Sequence, residues 1–252
     1  MRTLIVTVAG TATRFNQDTE KETLKSLYYI DSPRHSLLVQ IVEKSRGFDE
    51  IIIVGGYLHD ELCRFVEEHL ADYGNKIKLV YNPLYSTYGS GYSLIKGIEA
   101  VSGTDGEVVF VEGDLYFDNA SYQDILRSPL DVVTANHEFI LAEKAVVFYV
   151  NKLDELHYIY DTAHKELVIP EPVKAVYNSG QIWKFRSIPR LKQVVSSLTE
   201  EQMKGTNLEI VQGYLNGLTP VQVDLLPLKT WINCNTVKDY QKIHQLITDE
   251  NS

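Results

Sequence analysis

The chain has 252 residues, of which 44% are hydrophobic and 23% charged, the composition of a packed globule and not of a disordered segment. Its 24 Lys and Arg against 34 Asp and Glu leave a formal charge of -10, which argues against a broad nucleic-acid surface. An acidic protein that handles phosphates must therefore gather a few cations locally or use a divalent metal. No window approaches the roughly 18 apolar residues of a membrane span. The apolar run from Leu4 to Ala9 stops at Gly10 and does not read as a signal peptide. Cys63 and Cys234 share no CxxC spacing. A reduced, cytoplasmic protein is expected, monomer or homodimer, with neither membrane nor nucleic acid as partner.

In chain order, Leu4–Val8 reads as a buried first strand closed by the small residues Ala9 to Thr13. A polar stretch from Asn16 to Thr23 follows. Leu37, Leu38, Ile41 and Val42 recur at helical spacing after Ser36, and Gly47 ends them. Ile51–Val54 is a second continuous apolar strand. Asp60 precedes a stripe of Leu62, Phe65, Val66, His69 and Leu70 that ends near Gly74, a helix with Asp60 at its cap. Ile77–Tyr81 is a third strand, Tyr92 to Val101 a helix, and Val108–Val111 a fourth strand. Strands that are apolar throughout are covered on both faces, so the fold class expected is α/β, with a Rossmann-like, mixed but mostly parallel central sheet flanked by helices.

The second half reads as short strands at Ala145–Val150, Tyr158–Asp161 and Leu167–Ile169, the last two joined by a five-residue turn. Val173–Tyr177 and Ile182–Phe185 flank the turn-like Asn178, Ser179 and Gly180. Ser187, Ile188 and Pro189 open a helix, Val221–Leu226 is a strand, and Thr236 to Asp239 is a capping-box start for a last helix, Val237 to Ile247. No linker separates two domains. A single domain over 1–252 is expected, in two halves, 1–118 and 119–252.

In such sheets ligands bind at the carboxyl ends of the strands. There the small residues Ala9, Gly10, Thr11, Ala12 and Thr13 let backbone N–H groups wrap a triphosphate, and Arg14 adds a permanent cation. A plain strand-to-loop turn accounts for the same composition. Lys25, between Leu24 and Leu27, is either a snorkelling surface lysine or a cation that meets a phosphate. Asp114 ends an apolar strand, where a carboxylate pairs, binds a metal or caps a turn. Glu112 lies on the same side of the strand, as a second ligand or a buried hydrogen-bonded group. His69 reads as a core or rim histidine and Cys63 as packing.

Taken together these segments resemble the nucleotidyltransferases that join NTPs to sugar phosphates or phosphocholine. Thr13-Arg14 and Lys25-Ser26-Leu27 match the family's early signature, with Leu24 at the usual proline and Ala12 at the usual second glycine. Ile51–Tyr57 resembles its second strand, and Asn82-Pro83-Leu84-Tyr85 with Gly89-Ser90-Gly91-Tyr92-Ser93-Leu94 its base-reading stretch. Glu112-Gly113-Asp114-Leu115 resembles its metal motif, and Asn178-Ser179-Gly180 the turn beside the acceptor. Within the family, the LicC-like phosphocholine cytidylyltransferases look most similar.

The resemblance implies that the half 1–118 binds the nucleotide and the half 119–252 the acceptor, that Arg14 and Lys25 are catalytic, that Asn82, Gly89, Ser90 and Gly113 join the loop in holding the nucleotide, and that Asp114 binds Mg²⁺. Asn235 stands where the family carries a second metal-binding aspartate, which reduces metal affinity, shifts the second ligand to Glu112 or Asp224, or marks an inactive descendant. Tyr85, Tyr116, Tyr177, Gly180 and Glu209 are the implied acceptor residues. Tyr88, Tyr92 and Trp183 lie on further segments expected near the cleft, where aromatic rings suit a trimethylammonium group; tyrosine is also common in strands, so several of these rings read equally as core or rim residues. The activity implied is NMP transfer from an NTP, CTP favoured, to a phosphorylated small molecule such as phosphocholine. The alternatives are a sugar-1-phosphate acceptor, a GT-A-like glycosyltransferase using Glu112 and Asp114, or a nucleotide-binding protein without turnover.

Overall fold

The structure, a computed structural model, describes residues 1–142, 145–159 and 166–250. In chain order the elements are β1 (Arg2–Thr7), α1 (Thr13–Asn16), α2 (Leu37–Lys44), β2 (Glu50–Gly55), α3 (His59–His69), β3 (Ile77–Tyr81), α4 (Ser90–Glu99), β4 (Glu107–Glu112), β5 (Leu115–Phe117), α5 (Asn119–Arg127) and β6 (Asp131–Asn136). They continue with β7 (Val147–Asn151), β8 (Leu156–Tyr158), β9 (Val173–Phe185), α6 (Ile188–Ser197), α7 (Glu200–Lys204), α8 (Leu208–Leu215), β10 (Val223–Pro227), β11 (Trp231–Asn233) and α9 (Val237–Glu250).

The main sheet runs β10-β6-β9-β4-β1-β2-β3, with β7 added beside β9 and β8 beside β7. The pairs β1–β2, β1–β4, β2–β3 and β10–β6 are parallel; β9 is antiparallel to β4, β6 and β7. A small β5–β11 ladder stands apart. Strand alternation divides the core between two faces. Leu4, Val6, Ile51, Ile53, Val109 and Val111 face α2, α3 and α5. Ile5, Ile52, Val54, Val108 and Phe110 face α4, α6 and α8. A third cluster joins Phe15 and Leu37 to Tyr240, Ile243 and Ile247 of α9.

The expected parallel half appears strand by strand. Helix α3 begins one residue before Asp60, capped by Leu58 in the left-handed region (φ 49°), and Asp60 lies in its first turn. The last helix has its capping box: Thr236 Oγ1 accepts from Asp239 N at 3.2 Å and Asp239 Oδ2 accepts from Thr236 N at 2.9 Å. In the second half the expected turn at 178–180 is absorbed into one 13-residue strand, β9. Its pairing with β6 shifts register there, and Gln181 sits at φ 55°. Leu167–Ile169 is irregular and not a strand. Of the expected Tyr158–Asp161 strand, Tyr160 and Asp161 lie outside the described residues, as does most of the following turn. Among the described residues no helix is long and apolar enough to cross a membrane.

Asp118 ties the second half to the first. It caps α5 by accepting from Ser121 N at 2.8 Å, and its other oxygen accepts from Thr230 N at 2.9 Å. Burial pulls this carboxyl upward, but the hydrogen bonds from Ser121 and Thr230 outweigh it and hold the pKa below its ordinary 3.8. A depressed carboxyl stabilises the fold above its unfolded value and loses that contribution as pH falls through its folded value. Asp118→Ala is therefore expected to cost about 1–2 kcal/mol at pH 7. In urea melts, the gap between wild type and variant should shrink as pH drops below about 4.

Candidate active site

A cavity of about 230 Å³ opens at the carboxyl ends of β1 and β4. Thr7, Val8, Ala9 and Gly10 form one wall and Glu112, Gly113 and Asp114 the next. Leu24, Lys25 and Ser26 close one side, and Tyr85, Tyr88, Gly89, Ser90 and Ser93 the other. Lys25 is presented by its neighbours: Leu24 and Leu27 are 2% and 8% exposed, and a turn bond from Leu27 N to Leu24 O (2.9 Å) leaves the side chain between them directed inward.

Lys25 Nζ donates to Asp114 Oδ2 at 2.6 Å and reaches Asn235 Oδ1 at 3.5 Å, while Arg14 Nη2 donates to the same Asn235 oxygen at 2.8 Å. Residues 221 apart in sequence meet because β11 pairs with β5 and Cys234 N donates to Asp114 O at 2.8 Å. Arg14 is exposed on α1, at the rim. The other oxygen of Asp114, Oδ1, is buried without a hydrogen-bond partner. A buried carboxylate oxygen left bare is costly unless something cationic joins it. With the Asn235 carboxamide oxygen beside it, the donor set is all oxygen, which suits a hard cation such as Mg²⁺. Of the two expected ligands, Asp114 has the oxygen to spare, because Asn235 Oδ1 already accepts from two cationic groups.

Glu112 is engaged differently. Oε1 accepts from Asn207 Nδ2 at 2.5 Å and Oε2 from Gln181 Nε2 at 2.7 Å. Burial, and then the Asp114 charge, push its carboxyl up to about 7. Gln181 Oε1 accepts from Asn233 Nδ2 at 3.4 Å, and Asn233 Oδ1 from Asn235 Nδ2 at 2.9 Å. An amide relay thus runs from Glu112 through Gln181, Asn233 and Asn235 to the two cations and back to Asp114. Such a chain orients each member through the next. Gln181, Asn207 and Asn233 were not singled out from the sequence. The period-two spacing of Asn233 and Asn235 was the available signal; the positive φ at Gln181 leaves none.

Among the expected nucleotide residues, Ala9, Gly10, Gly89, Ser90 and Gly113 line the cavity, whereas Thr11, Ala12 and Thr13 continue outward from it. Ala12 holds the left-handed region (φ 50°) ahead of α1, the conformation that favours glycine. Asn82 is corrected: it is fully buried, Nδ2 donates to Ser93 Oγ at 2.9 Å and Oδ1 accepts from Leu84 N at 2.8 Å. It builds the turn that carries Tyr85, and it lies beneath the surface and outside the cavity lining.

Of the expected acceptor residues only Tyr85 reaches the cavity. Tyr116 is corrected: it is 1% exposed in the α9 cluster, with Lys44 Nζ 4.9 Å above its ring. Gly180 is a packing position whose added Cβ would meet Leu228 and Thr134 side chains, and its carbonyl accepts from Trp231 Nε1 at 2.9 Å. Tyr177 stacks on Phe148 (ring centroids 5.2 Å apart), and Glu209 accepts from Gln202 Nε2 at 3.4 Å; neither lines the cavity. Trp183 is fully buried, stacked on Phe110. Asp224 lies on the edge strand β10 and accepts from Ser128 Oγ at 2.5 Å, so it is no second ligand here. His69 is a rim residue with its ring 4.6 Å from that of Phe65. Burial pushes the Cys234 thiol up to about 12 and the Cys63 thiol upward, so neither is an activated nucleophile.

The wall formed by Gly89 and Ser90 depends on backbone contact. Gly89 N donates to Lys204 O at 2.9 Å and Gly91 N to Gly205 O at 3.2 Å. A Cβ on Gly89 would collide with the Gly205 carbonyl oxygen and come within 3.0 Å of Lys204 O. Backbone cannot swing aside as a side chain can. Gly89→Ala is expected to destabilise by about 1–3 kcal/mol and to weaken nucleotide binding, read by thermal melts and a nucleotide titration of the same preparation.

A model of the family described as "Domain of unknown function (DUF6564)" matches residues 21–247. No curated protein matches the chain. Solved structures do. A protein from Bacillus anthracis assigned as a glucose-1-phosphate thymidylyltransferase aligns with TM-score 0.72 at 16% identity, covering 98% of this chain and 95% of that one. The inositol-1-phosphate CTP transferase of T. maritima aligns with TM-score 0.69 at 17% identity, covering 98% and 95%. The CTP:phosphocholine cytidylyltransferase LicC of Streptococcus pneumoniae aligns with TM-score 0.63 at 20% identity, covering 98% and 99%. At these identities the likeness establishes the fold, that of the nucleotide-diphospho-sugar transferases.

Proposed function

The chain belongs to the DUF6564 family, and from its fold and its cavity we propose that it is a nucleotidyltransferase. It would transfer NMP from an NTP, with CTP favoured, to a phosphorylated small molecule such as phosphocholine and release pyrophosphate. The observation that carries this reading is the bare Oδ1 of Asp114 beside the Lys25 ammonium, with Arg14 on the shared Asn235 oxygen. That set gives an acidic chain the local positive charge that a triphosphate requires.

In the reaction, an oxygen of the acceptor phosphate forms a bond to the α-phosphorus in line with the bridging oxygen. The bond from that phosphorus to the bridging oxygen breaks, and the electron pair leaves on pyrophosphate. Both partners are anions, so alignment and charge neutralisation are the main demands. Lys25 moves from the Asp114 carboxylate toward the phosphates, and Arg14, hinged on Asn235, neutralises the leaving pyrophosphate. Mg²⁺ held by Asp114 Oδ1, with Asn235 beside it, would supply Lewis-acid charge at the phosphates. Glu112, with both oxygens held by amides, orients Gln181 and Asn207 and is not a ligand in this scheme.

Two of the three structural neighbours described above are, by their names, CTP-using, which favours CTP. Tyr85 and Tyr88 in the lining favour an alkylammonium phosphate. The hydroxyls of Ser26, Ser90 and Ser93 in the same lining support a second reading, a sugar 1-phosphate acceptor. The test is pyrophosphate release with each of four NTPs against phosphocholine and a set of sugar 1-phosphates. Release is expected only with both substrates and Mg²⁺ present, highest with CTP and phosphocholine. Nucleotide binding without release would make the chain a binding protein, and transfer from a nucleotide-sugar would make it a glycosyltransferase.

A further inference from the structure

A second cluster of ligating side chains lies outside the cavity, where the segment before α2 crosses α9. Asp31 Oδ1 is 2.8 Å from His35 Nδ1 and 3.1 Å from His244 Nε2. The two imidazoles meet edge to face with ring centroids 5.4 Å apart, and one ligating atom from each of the three residues lies within 4.8 Å of the others. One carboxylate oxygen therefore faces two ring nitrogens at once. His244 Nε2 is buried and faces the Asp31 carboxylate at 3.1 Å. One helical turn earlier, Tyr240 Oη donates to His35 O at 3.1 Å and pins the segment against α9. His35 and His244, 209 residues apart, are held together before any ligand arrives.

We propose that Asp31, His35 and His244 form a metal site for a borderline divalent cation, Zn²⁺, separate from the oxygen-lined site at Asp114. Two imidazoles and a carboxylate are ligands Zn²⁺ takes, whereas Mg²⁺ prefers oxygen alone. Tetrahedral Zn²⁺ with bonds of about 2.0–2.1 Å separates its ligand atoms by about 3.3 Å, inside the 4.8 Å that spans the three ligating atoms, and the half-exposed Asp31 side chain has room to adjust to the ion. Water fills the remaining position. The ion cross-links the segment preceding α2 to the helix that starts two residues after Asn235, and it stabilises the placement of that residue. The proposal does not depend on the nucleotidyltransferase reading.

The test is a Zn²⁺ titration by calorimetry of the full chain, freed of metal with a chelator and kept in millimolar Mg²⁺. One Zn²⁺ per chain is expected, with a Tm that rises as Zn²⁺ saturates. In His35→Asn and His244→Asn the affinity should fall by more than the about 10- to 100-fold typical of losing an outer-shell partner. Co²⁺ should give visible absorption in the wild type and lose it in both variants. Asp114→Asn should bind Zn²⁺ as the wild type does. If a histidine variant fails to fold, Asp31→Asn takes its place, because that carboxylate is half exposed. The proposal is overturned if the wild type binds no Zn²⁺, if the histidine or Asp31 variants bind it equally well, or if Asp114→Asn abolishes it.

Discussion

Replacing Lys25 with alanine is expected to lower turnover by about 10²- to 10³-fold, the effect of deleting one preorganised donor to developing negative charge. Lys25 is bonded to Asp114 inside the cavity and lies within reach of Asn235 as well. Its removal takes away the charge that would follow the electron pair onto pyrophosphate. The stability cost should be small by comparison. The two partners are 22% and 20% exposed, between a surface pair and a buried one, which points to about 1–2 kcal/mol. In a chain of this size that lowers Tm by only a few degrees. Lys25→Arg should recover part of the rate, because the charge returns with different geometry. Rates and melts on the same preparations separate the two effects, and full activity in Lys25→Ala would remove the residue from the chemistry.

The second large effect is expected at Asp114. Asp114→Asn keeps the shape of the side chain but withdraws the charge from an oxygen that is buried and bare. Turnover should fall by about 10²- to 10³-fold, and the Mg²⁺ concentration for half-maximal rate should rise by at least about tenfold, since a hard cation loses its one anionic ligand. A Mg²⁺ titration of rate tests this. An unchanged Mg²⁺ curve would mean that the ion binds elsewhere. The effect differs in kind from that of Lys25→Ala, which should leave the Mg²⁺ dependence largely in place.

The parallel half of the fold was legible because its strands bury both faces. Ile51–Val54 and Val108–Val111 have no polar residue to disguise them, and the second of them ends where a wall of the cavity begins. The second half was read less well for identifiable reasons. β5 and β11 are three residues each and exist through their pairing with one another, more than 110 residues apart, a contact that no local pattern announces. Helix α8 buries Leu208, Ile210, Val211, Gln212, Tyr214 and Leu215, so it shows no amphipathic stripe. Asn178, Ser179 and Gly180 have turn composition, yet tertiary pairing carries the strand through them, with the irregularity passed to Gln181.

The candidate site divides along the same line. Arg14, Lys25, Asp114 and Asn235 were found because their segments match a known pattern, and the fold brings all four together. The aromatic acceptor cage was overdrawn. Tyr116 and Trp183 are core residues, and tyrosine is common wherever a half-polar ring can fill a core or a rim. The amide relay from Glu112 to Asn235 could not be read, since it depends on the register of β11 against β5. Asn235 itself gains a clearer meaning from the relay. An aspartate there could not donate to Asn233, so the carboxamide completes a chain that a carboxylate would interrupt.

The most direct test of the central claim is a crystal structure of the full chain with Mg²⁺ and a CTP analogue whose α–β bridging oxygen is replaced by methylene. The account predicts a triphosphate lying between Arg14 and Lys25, with the ion bound to Asp114 Oδ1 and Lys25 turned from the carboxylate toward the phosphates. A triphosphate bound outside this cavity, or an ion that leaves Asp114 Oδ1 bare, would contradict it.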